Sequence, residues 1–116
     1  MSINSISISG FVAREGKLGK SANNTSYLIF GVGFDDGQKY REGRHEDNIN
    51  FIDCVIFGDF AKECAPYLTK WRRVHIDGRI HRNRLANTPG KGFQIIVDDI
   101  TFGIVIDKDG SKGGLR

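Results

Sequence analysis

Hydrophobic and polar residues alternate with a period of two in five segments of the chain. Such alternation is typical of strands that have one face on a core and the other face in water. In the stretch ISIS near the N-terminus, the isoleucines form one face and the serines the other. The five predicted strands are residues 3–12, 26–34, 49–57, 73–85 and 93–106.

The segments between these strands are rich in residues that favour loops. Glycine, serine and asparagine collect in residues 16–25, and residues 86–92 form a turn by composition. Residues 35–47 are polar and charged without periodicity, which indicates a mobile loop or a loose hairpin tip.

A short helix is predicted between the third and the fourth strand. Gly58 ends the third strand, and Asp59 is expected to act as the helix N-cap. Pro66 would remove a backbone hydrogen bond at a cost of about 3 kcal/mol, so we expect the last turn to be kinked or frayed. The apolar residues that recur at helical spacing are Phe60, Cys64 and Leu68.

Five strands with one helix between the third and the fourth are the order of an all-β OB-fold. This fold is a five-stranded Greek-key barrel that commonly binds oligonucleotides or oligosaccharides. A chain of 116 residues is the size of one domain. We expect residues 1–106 to form the barrel and residues 107–116, DKDGSKGGLR, to be a disordered tail.

The distribution of charge is more informative than the net charge of +3, which favours an anionic partner only weakly. Basic residues concentrate in residues 70–84, where Asp77 is the single acid. Such a stripe is expected of a surface that follows a phosphate backbone, although a solvated strand face would look similar. The basic residues are Lys70, Arg72, Arg73, Arg79, Arg82 and Arg84.

The third strand has one aromatic and one aliphatic face. The compact face of Ile52, Cys54 and Ile56 suits the core, which would leave Phe51 and Phe57 outside. Exposed rings can stack on unpaired bases, at about 1–3 kcal/mol per base. The alternative is burial, because phenylalanine on a strand is usually a core residue.

Three further aromatic residues are candidates for packing or for binding. Phe34 and Tyr40 border the charged segment and could either stack on bases or anchor the loop. Trp71 lies where the helix ends and the next strand begins, a junction that needs bulk, so we interpret it as a packing plug and not as a base platform.

Catalysis, cofactors and metal ions are not expected. Cys54 and Cys64 form no CxxC motif and have no histidine pair nearby, which predicts reduced structural thiols. The three histidines are neither clustered nor paired with a nucleophile. No apolar run approaches the roughly 18 residues of a membrane span, and the N-terminus has no signal-peptide pattern, so we expect a cytoplasmic protein without a membrane partner.

The middle of the chain resembles the bacterial-type single-stranded DNA-binding protein family, which includes phage and plasmid members. The resemblance lies in INFIDCVIFGDFAKECAPYL, VHIDGRIHRNR and FQIIVDDITF, and with SINSISISGFV and YLIFGVG it covers residues 2 to about 104. It implies an OB-fold that wraps single-stranded DNA around a homo-oligomer, most often a tetramer, without catalysis. It also implies roles in DNA replication, recombination and repair, in the nucleoid or, for a phage member, in the host cytoplasm.

The resemblance places the family's stacking residues at Phe51 and Phe57, with phenylalanine at the first position, where tryptophan is common. A third stacking position falls on Leu85, which has no ring, and a fourth aligns with Phe34 or its neighbours. We therefore expect weaker stacking. Family members usually end in an acidic, Phe-tipped tail that recruits replication and repair proteins, which the segment KDGSKGGLR does not match.

Two functions are compatible with these features. The first is binding of single-stranded DNA without sequence specificity. The alternative is a primosome-type OB protein that acts mainly as a protein–protein interaction module, which would need exposed apolar patches in place of a continuous basic groove. An oligomer is expected in the first case, since the first strand offers an edge that must be paired or covered.

Overall fold

The computed structural model describes residues 2–35, 39–41, 44–46, 48–82 and 92–106. The described chain has five long strands, with two short strands after the second of them and a helical connection after the third. The strands are β1 (Ile6–Lys20), β2 (Ser26–Asp35), β3 (Lys39–Arg41), β4 (Arg44–Glu46), β5 (Ile49–Phe57), β6 (Arg72–Arg82) and β7 (Phe93–Val105). A helix, α1 (Asp59–Cys64), and a 3₁₀ turn (Ala65–Tyr67) connect β5 to β6.

The long strands form a closed barrel in the order β1-β2-β5-β7-β6. β1 closes it, because residues 6–11 pair with β6 and residues 11–20 pair mainly with β2. Only the pairing between β5 and β7 is parallel among these strands. The predicted OB-fold, with its helix between the third and fourth barrel strands, is confirmed.

β1 is longer than the sequence pattern predicts. It continues to Lys20, so that only residues 21–25 form the turn that was expected over residues 16–25. Two shifts of register, between Val12 and Arg14 and between Arg14 and Lys17, interrupt the alternation. Irregularities of this kind bend a strand and increase its twist. Glycine and lysine in this part of β1 predict a loop, but pairing with β2 satisfies the backbone.

The core consists of the inward residues of the five strands and the apolar face of the connecting helix. Phe30 of β2 and Ile56 of β5 are fully buried in it, and Leu68, which follows the 3₁₀ turn, is a further buried member. Cys54 and Cys64 are free thiols inside this core, as predicted. Desolvation, with a smaller contribution from the neighbouring Asp53 carboxylate, raises the pKa of Cys54 to about 12, which keeps it a thiol at neutral pH.

The start of α1 corrects the predicted cap. Gly58, not Asp59, occupies the N-cap position, and Asp59 is the first helical residue without a capping hydrogen bond. Gly58 has a φ of 80°, which glycine adopts without steric cost, and its N–H donates to the carbonyl of Ser26 over 2.8 Å. The chain can thus leave β5 and turn at once into the helix. The expected irregular last turn is the 3₁₀ turn that contains Pro66.

The charged segment after β2 contains a short hairpin. Residues 39–41 pair with residues 44–46 in a separate two-stranded sheet, which agrees with the hairpin alternative. The predicted tail of residues 107–116 and most of the predicted turn over residues 86–92 lie outside the described residues. In the described part of the chain, every helix is too short to cross a membrane.

Candidate nucleic-acid interface

Phe51 and Phe57 project from the outer face of β5. Their residues are 68% and 48% exposed, whereas Cys54 and Ile56 on the other face of the strand are fully buried. The prediction that the aromatic face of this strand points outward is confirmed. A ring left in water offers a flat apolar surface on which an unpaired base can stack.

The strand register extends this aromatic surface from β5 onto β2 and β1. Phe57 pairs with Tyr27, while Phe51 pairs with Gly33, which in turn pairs with Phe11. The Phe11 ring lies over Gly33, since a Cβ built on this glycine would come within 2.5 Å of the ring. Two aromatic rows, Tyr27 with Phe57 and Phe11 with Phe51, therefore share what we call the aromatic face of β1, β2 and β5.

An ion pair lies between the two rows. Nη2 of Arg14 donates to Oδ1 of Asp53 over 2.7 Å, and both side chains are about half exposed. A surface pair of this kind contributes only about 0–1 kcal/mol to stability. The pair also affects the charge of the surface. Arg14 neutralises the Asp53 carboxylate, which would otherwise repel a phosphate group on the aromatic face.

Phe93 adds a further exposed ring beside Phe51. It is 56% exposed at the start of β7. Phe51 and Phe93 line an open cleft of about 570 Å³, to which Arg14 and Asp53 also contribute. The volume is within the range of sites that bind small organic molecules, and the lining combines apolar rings with a donor and an acceptor.

Sequence reasoning left Phe11, Tyr27 and Phe93 unassigned. A signal for Phe11 was present, because it follows the outward serines of β1 in the alternating pattern. Tyr27 likewise alternates with buried residues of β2. Phe93 carries no such signal. It alternates in phase with the buried Ile95 and Val97, and it is exposed because it is the first residue of β7.

The other two aromatic candidates, Phe34 and Tyr40, lie in different strands. Phe34 is partly buried. It is separated from the buried Phe30 and Val32 by an even number of residue steps, so its side chain lies on the face of β2 opposite to the aromatic face. This favours anchoring over stacking. Tyr40 lies in β3, where it pairs with His45 on β4.

The predicted basic stripe is divided into two groups. Lys70 and Arg73 are exposed before and at the start of β6, and Arg79 and Arg82 are exposed near its end. Arg84 lies outside the described residues. Between the groups a polar cluster joins β6 to β1, so the described cations are not contiguous along the strand.

That polar cluster consists of two serines of β1 and two residues of β6. The Ser7 hydroxyl donates to Oδ1 of Asp77 over 2.8 Å, and its oxygen lies 3.1 Å from Nε2 of His75. The Ser9 hydroxyl lies 2.8 Å from Nδ1 of His75. Because Asp77 adds a negative charge here, the cluster is a poor place for a phosphate group.

Two of the predicted cations are engaged by the protein itself. Arg72 is partly buried, and its Nη1 donates to the carbonyl of Gly103 over 3.0 Å. Nε of Arg79 lies 3.6 Å from the carboxylate of Asp98. Within the described residues, Lys70, Arg73 and Arg82 form no ion pair, which leaves them available to an anionic ligand.

Trp71 is not the plug that its position predicts. It is partly exposed, lies outside the core cluster and stacks on Phe11, with ring centroids 5.4 Å apart and planes 17° apart. Leu68, in the segment between the 3₁₀ turn and β6, is buried in the core. The indole therefore belongs to the surface next to the aromatic face.

A five-stranded OB barrel that carries exposed rings and exposed cations is typical of oligonucleotide-binding barrels. Residues 3–102 match the model of the single-strand binding protein family, and the chain belongs to this family. Among the described residues, no group of three or more histidine, cysteine or acidic side chains could hold a metal ion.

Relatives and solved structures agree with this assignment. A single-stranded DNA-binding protein of Oceanobacillus iheyensis is 26% identical over 115 residues, which cover 97% of this chain and 68% of that protein. One from Fusobacterium nucleatum is 23% identical over 103 residues, covering 87% of this chain and 67% of that protein.

Solved structures show the same fold at low sequence identity. The small single-stranded DNA-binding protein of Streptomyces coelicolor superposes with a TM-score of 0.72 at 18% identity, covering 89% of this chain and 95% of that one. A Plasmodium falciparum SSB in complex with ssDNA gives a TM-score of 0.73 at 19% identity, covering 89% and 96%.

Replacing the exposed rings should leave the fold intact. We expect Phe51→Ala and Phe57→Ala each to change the free energy of unfolding by less than about 1 kcal/mol, because surface substitutions remove little packing. Phe30→Ala, the buried control, should cost about 3–5 kcal/mol. Urea unfolding of the three variants measures the difference, and a loss for Phe51→Ala equal to that of Phe30→Ala would place Phe51 in the core.

Proposed function

We propose that this protein binds single-stranded DNA without sequence specificity and shields it during replication, recombination and repair. The observation that carries the proposal is the exposure of Phe51 and Phe57 on one aromatic face. β6 adjoins this face at β1, and its exposed Arg73 and Arg82 form no ion pair within the described residues. The names of its relatives in the single-strand binding protein family support the same ligand.

Aromatic rings bind the bases of the DNA, and cationic side chains bind its phosphates. Bases of an unpaired strand lie on Phe51 and Phe57, and Phe93 contacts the base that enters the cleft beside Phe51. Ring faces accept any base, so the binding is tolerant of sequence. The cations that neutralise phosphates of the bound strand are Lys70, Arg73, Arg79, Arg82 and Arg84.

The exposed rings of the aromatic face are less suited to binding another protein. Such a role needs a continuous apolar patch, but the Arg14–Asp53 ion pair interrupts the aromatic face between its two rows. Exposed rings next to charged groups fit a ligand that is itself both aromatic and charged. This favours DNA over the primosome-type alternative.

We also propose that the protein acts as a homo-oligomer, most simply a tetramer, and that it works in the compartment that holds the DNA. Residues 6–9 of β1 pair with β6, whereas the pairing of β1 with β2 begins only at Phe11. Within the described residues, the other edge of this part of β1 has no paired strand, and an open edge favours pairing with another chain.

Replication and repair proteins are further possible partners. The proposed role requires no catalytic step.

Binding should discriminate strongly between unpaired and paired DNA. We expect a dT oligonucleotide to bind more tightly than a hairpin duplex of the same length, because a base must leave its neighbours to lie on a ring. Phe51→Ala should lose about 1–3 kcal/mol of binding to the dT oligonucleotide. Fluorescence anisotropy of labelled DNA measures both effects, and equal affinity for the two DNAs would refute the stacking mechanism.

Binding should also weaken steeply with salt. On single strands each phosphate contact contributes about −0.7 to the slope of log K against log salt concentration. The triple variant Arg79→Gln, Arg82→Gln, Arg84→Gln should therefore have a flatter slope than the wild type. Lys62→Gln, on α1 beside Asp59, is the matched control and should leave the slope unchanged. The same slope in the triple variant would show that this end of β6 is a solvated face.

The oligomeric state can be measured without DNA. Sedimentation of the wild type should give the mass of an oligomer at micromolar concentration. A wild type that sediments as a monomer throughout this range would exclude a wrapped oligomer but would leave binding by single barrels intact.

A further inference from the structure

Trp71 adopts a backbone conformation that bulky residues rarely adopt. Its φ is 74°, in the left-handed region. Asn24, with a φ of 62°, is the other non-glycine residue with positive φ in the described part of the chain, and asparagine is one of the residue types enriched there. A tryptophan in this region is an outlier, and such outliers are concentrated at functional sites.

Barrel closure imposes the conformation of Trp71. Its N–H donates to the carbonyl of Val12 on β1 over 2.8 Å, and its carbonyl accepts from the N–H of Ile106, just after β7, over 2.7 Å. Both bonds use the backbone alone. A glycine would form them without steric cost, so the fold requires the turn but does not require the indole.

The indole continues the aromatic face beyond β1. It stacks on Phe11, and the Phe11 ring covers Gly33, which is in register with Phe51. Ring surface therefore extends from β5 across β2 and β1 to the turn before β6. Both residues are partly exposed and lie outside the core cluster, so the stacked pair belongs to the surface of the barrel.

Cations adjoin this end of the aromatic surface. Nζ of Lys70 lies 5.5 Å from the centre of the Trp71 ring. Arg73 is exposed and is in register with Phe11 on the neighbouring strand. Neither cation has an ion-pair partner within the described residues. A base on the indole would thus have two cationic side chains nearby for its phosphates.

We propose that Trp71 and Phe11 form a further base-stacking site for single-stranded DNA, with Lys70 and Arg73 binding the flanking phosphates. The proposal rests on the function proposed above and extends the DNA path from Phe51 around β1 to the start of β6. The Lys70 side chain moves from the indole to a phosphate when a base occupies the ring. The strained backbone at Trp71 is retained because it presents the indole at this point.

The sole tryptophan makes the site directly observable. Addition of a dT oligonucleotide to the wild type should quench tryptophan emission, with saturation at the same stoichiometry as anisotropy of labelled DNA. Bound DNA should also protect the indole from acrylamide, which lowers the slope of the acrylamide quenching plot. Both measurements use the unmodified protein and do not depend on the folding of any variant.

Substitutions separate a binding role from a packing role. Trp71→Gly permits the positive φ and removes the ring, and it should weaken dT binding roughly fivefold to a hundredfold. It should melt at a higher temperature than Trp71→Ala, which keeps the strain. Trp71→Phe retains a ring and should retain most of the affinity. Tyr67→Ala is the control, since Tyr67 is 51% exposed and contacts Phe102, away from the aromatic face.

The outcomes distinguish this site from the general function. If the wild type binds the dT oligonucleotide, but its emission and acrylamide slope are unchanged and Trp71→Gly binds as tightly, the further site is refuted and the proposed function stands. If the wild type fails to bind single-stranded DNA, the proposed function is refuted and the further site with it. If Trp71→Gly fails to fold, acrylamide protection in the wild type decides: protection supports the site and an unchanged slope refutes it.

Discussion

The surface of this protein depends on the way in which β1 closes the barrel. Its first half pairs with β6 and its second half mainly with β2, and Phe11 is the residue that belongs to both pairings, opposite Arg73 on one side and Gly33 on the other. With Val12 directed into the core, Phe11 must point outward. Closure therefore places the Phe11 ring at the edge of the aromatic face that adjoins the first cations of β6.

The same closure fixes the turn before β6. Trp71 is held between Val12 and Ile106 by two backbone hydrogen bonds, and the positive φ that results turns the indole onto Phe11. A geometric requirement of the barrel and a feature of the candidate interface thus coincide at one residue. The Arg14–Asp53 ion pair has a comparable role on the aromatic face, because it removes net charge from the surface between the rings.

Much of the architecture could be predicted from short-range patterns. Ile49–Phe57 is a strand with the predicted bounds, and the alternation along it correctly assigns Phe51 and Phe57 to the outside. Other predictions failed where tertiary contacts outweigh local preference. β1 extends through glycines because β2 supplies hydrogen bonds to it, and Gly58 displaces Asp59 as the helix N-cap because the exit from β5 needs a positive φ.

The sequence by itself determined the number and order of the barrel strands and the side of β5 that meets water, because these follow from periodicity and residue type within short segments. The family was indicated by the resemblance of longer motifs. Only the tertiary structure decided which exposed groups lie together. Phe11, Phe51 and Trp71 are distant in sequence and become neighbours through strand register and barrel closure. The division of the basic residues of β6 has the same origin, since Ser7 and Ser9 reach His75 and Asp77 only when β1 lies against β6.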